Sequence, residues 1–498
     1  MKKIMGILYI FLLLTFQLFA QSGTKLIGFD ASTLGRGGVS IGFFDSPDLM
    51  MTNPAGISFL KNSMVDANFS LMVPSLHFSN VLNDVSGKTN YFPMPDISYV
   101  ADPNSDLTWG VGFFTQGGMG ADFSLDNALF VNQNGSYMPQ TYHSKLAVMQ
   151  GGPSVSYKFT PSFSVGLSAQ LVYSMLEFQM PYSLSPSIMA GVVNPQTGMT
   201  FAQMFAAPQT QGGFGYTEVT AAANMKDLSA VSFTGRIGFA YQVNNKLTLG
   251  LTYSLPTPLT YKNGKAAMDM TAQLNDAFGK AVMGYMFQNP SSTQQEAQAA
   301  VMQQFSQMGI DLSKGAIDNY NLQVKLKLPQ SIGFGAAYQA TKDLKLGLDF
   351  EWVNWKNAFD KMTIDLSNGS NPNIKTMMGN NGTFEINFPM DWKDVVLVKV
   401  GGEYKVNSAL TLRAGFAYGN NPVPSSTIFP VFPAIVESHI TLGAGYQVTN
   451  SVTINAAYEL GLNFKETASN PSIIANEYTQ STSQLGTNLF HVSLAWNL

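Results

Sequence analysis

The sequence contains no cysteine, which excludes disulfides, thiol nucleophiles and thiolate metal sites. Charge is scarce too, since Lys, Arg, Asp and Glu make up 12% of the 498 residues, about half the share of an ordinary soluble protein. A surface so poor in charge cannot be mostly in water. Long apolar runs are also missing. Apolar residues reach 45%, yet no stretch beyond the first twenty positions approaches the roughly 18 consecutive apolar residues of a membrane-spanning helix. A helical membrane protein is therefore excluded. The formal net charge is −4 with no basic cluster, so nucleic acid is not an expected partner. The four histidines, His77, His143, His439 and His491, show no metal-ligand spacing, and neither a G-x-S-x-G elbow nor an H-E-x-x-H pair occurs. No metal, cofactor or enzymatic activity is expected, and only a Ser/His arrangement assembled in space stays open.

The chain does hold a leader and a repeating alternation. Lys2 and Lys3 precede an apolar stretch from Ile4 to Phe16, and Gln17, Leu18, Phe19 and Ala20 follow, the layout of a secretory signal over residues 1–20. Its removal takes the formal charge from −4 to −6, because two lysines leave. From residue 163 onward, apolar residues recur with period two, as in Phe163, Val165, Leu167, Ala169, Leu171 and Tyr173, or Leu344, Leu346, Leu348, Phe350 and Trp352. The intervening positions are small or polar. A soluble sandwich would turn a polar face outward, whereas here the continuous face is apolar.

Connections alternate between tight turns (101–106, 160–162, 244–245, 341–343, 407–408, 449–451) and long polar loops. The loops fall near 80–92, 115–143, 179–227, 258–318, 356–384, 419–437 and 465–488. Six turns and seven loops join fourteen strands, the signature of a closed antiparallel barrel in a bacterial outer membrane. Tyr157, Tyr241, Tyr338, Tyr404 and Tyr446 stand before short turns and form one expected aromatic belt; Tyr173, Tyr253, Trp352, Tyr418 and Tyr458 form the other. The fold class is all-β, a 14-stranded transmembrane barrel over residues 61–498.

Residues 21–60 do not alternate, and carry Leu34, Gly35, Arg36, Gly37 and Gly38, then Asn53, Pro54, Ala55 and Gly56. This pattern resembles the amino-terminal hatch, a plug inside the lumen, of the FadL family of outer-membrane transporters for long-chain fatty acids and other hydrophobic compounds. Leu328-Pro329-Gln330-Ser331 is similar to the family's Leu-Pro-Asp-Ser segment, with Gln330 in place of Asp. Asp391-Trp392-Lys393-Asp394, Gly402-Glu403-Tyr404, Leu412-Arg413-Ala414-Gly415 and Pro422-Val423-Pro424 resemble its carboxy-terminal core. The family's Pro-Asp-x-Asp-Arg stretch has become Pro433-Ala434-Ile435-Val436-Glu437. The resemblance implies capture of cargo in an outer groove, a lumenal pocket, movement of the hatch and sideways exit beside a kinked third strand. Some relatives in the family instead serve secretion machinery as scaffold or shuttle subunits, and that is the alternative function.

On this reading Gly117, Gly118 and Gly120 are the candidate lateral gate, since glycines weaken a strand. In loop 258–318, Met270, Leu274, Phe278 and Val282, with Val301 and Phe305, recur at helical spacing and predict two amphipathic helices for the groove. Phe205 in loop 179–227 joins them. A buried alkyl tail gains roughly 0.8 kcal/mol per methylene, so a polar residue need only orient the carboxylate. The candidates for that role, assigned to the inward register, are Lys325 and Lys327, then Arg413 and Arg236, with Lys345 and Lys399 on the same face. The expected partners are a hydrophobic small molecule and outer-membrane lipid, with no need for more than a monomer.

Overall fold

The computed structural model describes residues 23–132, 134–469, 473 and 475–498, so the expected export signal lies outside the described residues. Strands β1 (Met64–Ser79), β2 (Phe92–Ala101), β3 (Leu107–Leu125), β4 (Gln140–Thr160), β5 (Phe163–Leu184) and β6 (Val219–Gln242) run unbroken. The next four strands each come in two segments. These are β7 (Leu247–Ser254 and Thr257–Asp269), β8 (Ile317–Leu328 and Ser331–Gln339), β9 (Leu344–Val353 and Lys361–Ser367) and β10 (Phe384–Pro389 and Val395–Lys405). β11 (Leu410–Gly419), β12 (Ser438–Gln447), β13 (Val452–Thr467) and β14 (Thr482–Asn497) complete the wall. Pairing is antiparallel throughout, and β1 runs along β14 from Met64↔Asn497 to Ser79↔Thr482, which closes the fourteen strands into a barrel. Among the described residues, no helix is long and apolar enough to cross a membrane.

The breaks in β7 to β10 stand at one level, and the two zones they separate face opposite media. Below the breaks the segments of β7, β8, β9 and β10 span 8, 9, 10 and 11 residues, close to the roughly 9–11 a tilted strand needs to cross a bilayer. Leu251, Leu346, Phe350 and Val400 point outward there and are exposed, while Thr252, Gly335, Asp349 and Lys399 point inward. Above the breaks the parity reverses. Leu259, Tyr261, Leu322, Val324, Ile364, Leu366 and Phe388 are buried inside, and Lys325, Lys327 and Glu385 are exposed outside. Water surrounds the upper wall and apolar side chains fill it, so the alternation inverts. The strands thus run on past the lipid, and the connections expected over 179–227 and 258–318 shorten to 185–218 and 270–316.

A large apolar core occupies the upper barrel and includes the connection 420–437, which folds inward. Phe429 in it packs on Phe178, Phe388, Phe432 and Tyr478. This burial accounts for the apolar residues Pro433, Ala434, Ile435 and Val436, where the resemblance calls for acidic and arginine side chains. The two helices predicted between β7 and β8 are α2 (Thr271–Gln288) and α3 (Gln294–Gln307), numbered after α1 (Ala31–Gly35).

Candidate functional site: a cavity between plug and wall

Residues 23–60 lie inside the lower barrel, bonded to inward-facing groups of many strands. Asp30 caps α1, accepting from Ser32 N at 2.6 Å and Thr33 N at 2.9 Å. α1 ends at Arg36, which is fully buried and held as a fork to Asp45 at 2.9 and 2.7 Å, with its guanidinium 3.9 Å over the Phe43 ring. Gly37 has φ +76°, and a Cβ there would lie 2.7 Å from Phe416 N and 3.0 Å from Val400 O, so the tight turn against β10 and β11 requires glycine. Asn53 donates to Ile41 O at 2.9 Å and to Phe239 O on β6 at 3.0 Å, while its Oδ1 receives Ala55 N at 3.3 Å. Pro54, with no N–H to offer, opens a short 3-10 turn that also contains Ala55 and Gly56. Gly35 O accepts from Thr441 Oγ1 on β12 at 3.1 Å.

Several inward charges of the wall serve this docking. Asp349 Oδ2 accepts from Ser40 N at 2.8 Å and Ile41 N at 3.1 Å, and Lys399 donates to Ile27 O at 2.8 Å. Arg413 pairs with Glu403 at 3.3 Å and bonds Asn455, while Lys345 sits 3.7 Å over the Phe43 ring. These three cations are therefore committed. Lys325 and Lys327 do not face the lumen. They stand on the upper wall with the register reversed, in water, and Lys325 bridges to Asp365 at 2.7 Å. Their expected inward direction is corrected by the parity change at Pro329-Gln330.

Arg236 is left over. It donates to Thr52 O at 3.4 Å, and no carboxylate lies within ion-pair distance of it among the described residues. With Lys25 of the plug it lines an interior cavity of about 40 Å³, walled also by Thr24, Gln116, Gly117, Gln150, Leu255 and Trp355. That space holds a few waters and not an alkyl chain. Lys25 pairs with Glu351, and burial lowers its ammonium to about 8, partly countered by that carboxylate.

The plug reaches the wall at Gly117, where Lys25 forms a bridge and Leu26 N donates to Gln116 O. Here β2 and β3 part. Their pairing ends at Ile97↔Phe113, and beyond it Thr115 alone reaches across, to Asp96 Oδ1 at 2.6 Å and Pro95 O at 3.1 Å. Because Pro95 turns its carbonyl toward β3, Pro93 and Pro95 both leave that edge of β2 without an N–H donor. β3 bulges between Thr115 and Gly117, and a Cβ on Gly120 would lie 2.6 Å from the Phe92 ring, which covers the opening. Gly118 lines the small cavity behind it, with Pro433 and Ala434 opposite. The Pro-x-Pro in β2 was the readable signal that sequence reasoning passed over.

Of the groove candidates, Leu274, Val282 and Phe205 are buried, Phe278 packs edge-on to Phe305 at 5.7 Å, and Met270 lines a narrow apolar cavity with Tyr182, Tyr320 and Ile386. The exposed apolar face of α2 and α3 is instead Met283, Met286, Phe287 and Met302. Two histidines converge on one carboxylate. His439 Nδ1 lies 2.5 Å from Glu459 Oε1, and His491 stands 3.4 Å from the other oxygen and 2.7 Å from Ser70 Oγ. Ser70 is 3% exposed and also receives Asn68 Nδ2, so the row ties β1, β12, β13 and β14 together.

A closed antiparallel barrel with an apolar outer face and residues 23–60 packed inside is the architecture of an outer-membrane protein. The chain belongs to the outer membrane protein transport protein family (OMPP1/FadL/TodX), whose model matches residues 14–492. It is 20% identical to outer membrane protein P1 of Haemophilus influenzae across 98% of both chains. Its fold is similar to the toluene transporter TodX of Pseudomonas putida (TM-score 0.66, 19% identity, 96% of this chain and 100% of that one). It is similar also to a FadL homologue of Pseudomonas aeruginosa (TM-score 0.68, 17% identity, 95% and 99%).

Proposed function

We propose that this protein takes up long-chain fatty acids or similar hydrophobic compounds by passive transport. The observation that carries the reading is the unpaired Arg236 in a cavity closed by the plug's Thr24 and Lys25. Cargo is caught on the exposed Met283, Met286, Phe287 and Met302, whose flexible thioethers adapt to varied apolar shapes. It then descends through the apolar upper barrel. A cavity of about 40 Å³ cannot accept it until residues 23–26 withdraw, so binding and plug movement are one event. Withdrawal breaks the Lys25–Glu351 pair and the bridge to Gly117, which frees the β2–β3 opening at Gly117, Gly118 and Gly120 for exit into the membrane. Arg236, which stays on the wall when Lys25 withdraws, favours an acid over the aromatic hydrocarbon that TodX carries by its name.

The experiment is binding of a long-chain acid and of the alkane of equal length to the purified barrel, before and after Arg236→Met. Tighter binding of the acid, lost in the variant, is expected. The proposal fails if neither ligand binds and deletion of the protein leaves cellular uptake unchanged.

A further inference from the structure

The opening beside β3 has a counterpart on the far side of the cavity. β6 and β7 pair up to Ser254↔Arg236, with Leu255 N donating to Gly235 O at 3.0 Å, and pair again from Lys262↔Ser229. Between these rungs, residues 230–234 of β6 and 256–261 of β7 have no partner on each other. The two openings share a sequence signature. Pro93-Met94-Pro95 flanks one and Pro256-Thr257-Pro258 the other, each removing two donors where a ladder would need them.

The remaining breaks at this level are sealed by side chains. Tyr253 OH donates to Gln330 at 2.8 Å, Gln330 to Asn354 at 3.1 Å, and Asn354 to Asp394 at 2.9 Å. This belt starts at β7 and runs away from β6, so it leaves the β6–β7 opening uncovered. The wall there is one residue thick. Ser168, Gly235, Arg236 and Leu255 line the interior cavity and also a hollow of about 460 Å³ on the lipid side, which is completed by apolar residues such as Leu167 and Ile237. That volume is in the range of small-molecule sites, roughly 300–1,000 Å³, as the interior cavity is not. Phe233, 75% exposed, lies in the unpaired stretch of β6, two residues from Gly235.

We propose that the β6–β7 opening is a second lateral port, in which an alkyl chain lies in the outer hollow while its carboxylate stays at Arg236. The port rests on the cargo reading above. Leu255 is the movable element, and Gly235 contributes no side chain to obstruct it.

The absence of native cysteine allows a direct test. Gly235→Cys with Leu255→Cys, neighbours on the outer face where Leu255 N donates to Gly235 O and a Cβ on Gly235 would lie 3.1 Å from the Leu255 side chain, closes the port on oxidation; Gly235→Trp fills it without relying on a disulfide. Uptake of a long-chain acid is measured for both, and a diazirine-tipped acid and a diazirine phospholipid are used to label the wild-type protein. The expected result is uptake reduced to about half or less in the oxidised pair and in the Trp variant, restored by reductant in the pair, since blocking a gate slows passage. The acid should label the peptides carrying Leu255 and Phe233. Unchanged uptake with the disulfide formed and Trp in place overturns the port. So does labelling of those peptides by phospholipid alone, or acid labelling confined to Gly117–Gly120, and each leaves the cargo reading standing. A wild-type barrel that binds and carries no acid removes the cargo reading itself, and the port with it.

Discussion

The lower and upper halves of the barrel use the same strands to solve opposite problems. Below the breaks, lipid is outside and a polar plug inside, so Leu251 and Phe350 face out and Asp349 and Lys399 face in. Above them, water is outside and an apolar core inside, so Lys325 faces out and Phe388 faces in. Period-two alternation continues through both halves, and a two-residue step such as Pro329-Gln330 exchanges the faces. Alternation therefore reports that a strand has two unlike sides, and the surrounding medium decides which side is which.

The largest effect expected from this contrast is in the upper interior. Phe388→Ala removes a ring packed on Tyr182 and Phe429 and should cost about 3–5 kcal/mol in denaturant unfolding, with α2 and α3 still formed. On the lower exterior, Leu251→Lys should cost about 2–4 kcal/mol when folding is followed into lipid vesicles, because the charge enters hydrocarbon. A smaller cost than for a polar substitution on the outer face above the breaks would break the comparison. Within the lower lumen, Arg236→Met should weaken acid binding about tenfold, ~1.4 kcal/mol, and leave alkane binding alone. Binding of acid and alkane alike should weaken as pH rises above about 8. Docked Lys25 loses its proton near that value and regains it on leaving the interior, so withdrawal of residues 23–26 takes up a proton and becomes harder as pH rises. The smallest effect is expected from Lys325→Ala with Lys327→Ala, which should leave acid binding unchanged, since both side chains stand in water on the outer wall. A loss there would mean that the cargo is recognised before it enters.

Strand number, closure and the buried position of residues 23–60 were legible, because turns, loops and alternation each follow from local chemistry. Tyr157, Tyr241, Tyr338, Tyr404 and Tyr446 do stand exposed near the short turns. The direction of Lys325 was not legible. It depends on a parity change at Pro329, and the same Leu328-Pro329-Gln330-Ser331 that supports the family resemblance is the step that turns the lysines outward. The helices of the long loop could be read from their period, but not which of their faces would be free: Leu274 and Val282 meet neighbouring apolar groups, and Phe287 meets none that cover it. Arg236 could be named from its register, yet that the neighbouring Glu351 makes its ion pair with Lys25 instead is a fact of three dimensions.

The seam between β1 and β14 has a consequence for biogenesis. The plug precedes the first strand, so it is synthesised first and enclosed last. It is fastened by Ser58 to Ser156 on β4, by Met50 O to Ser168 on β5, by Gly42 O to Thr248 on β7 and by Gly37 N to Thr441 on β12, groups that face one another only across a nearly complete circle. An open sheet cannot offer them together. Zipping Met64 through Ser79 onto the last strand is therefore also the latch that traps the plug, and a chain whose seam is loosened should lose both at once.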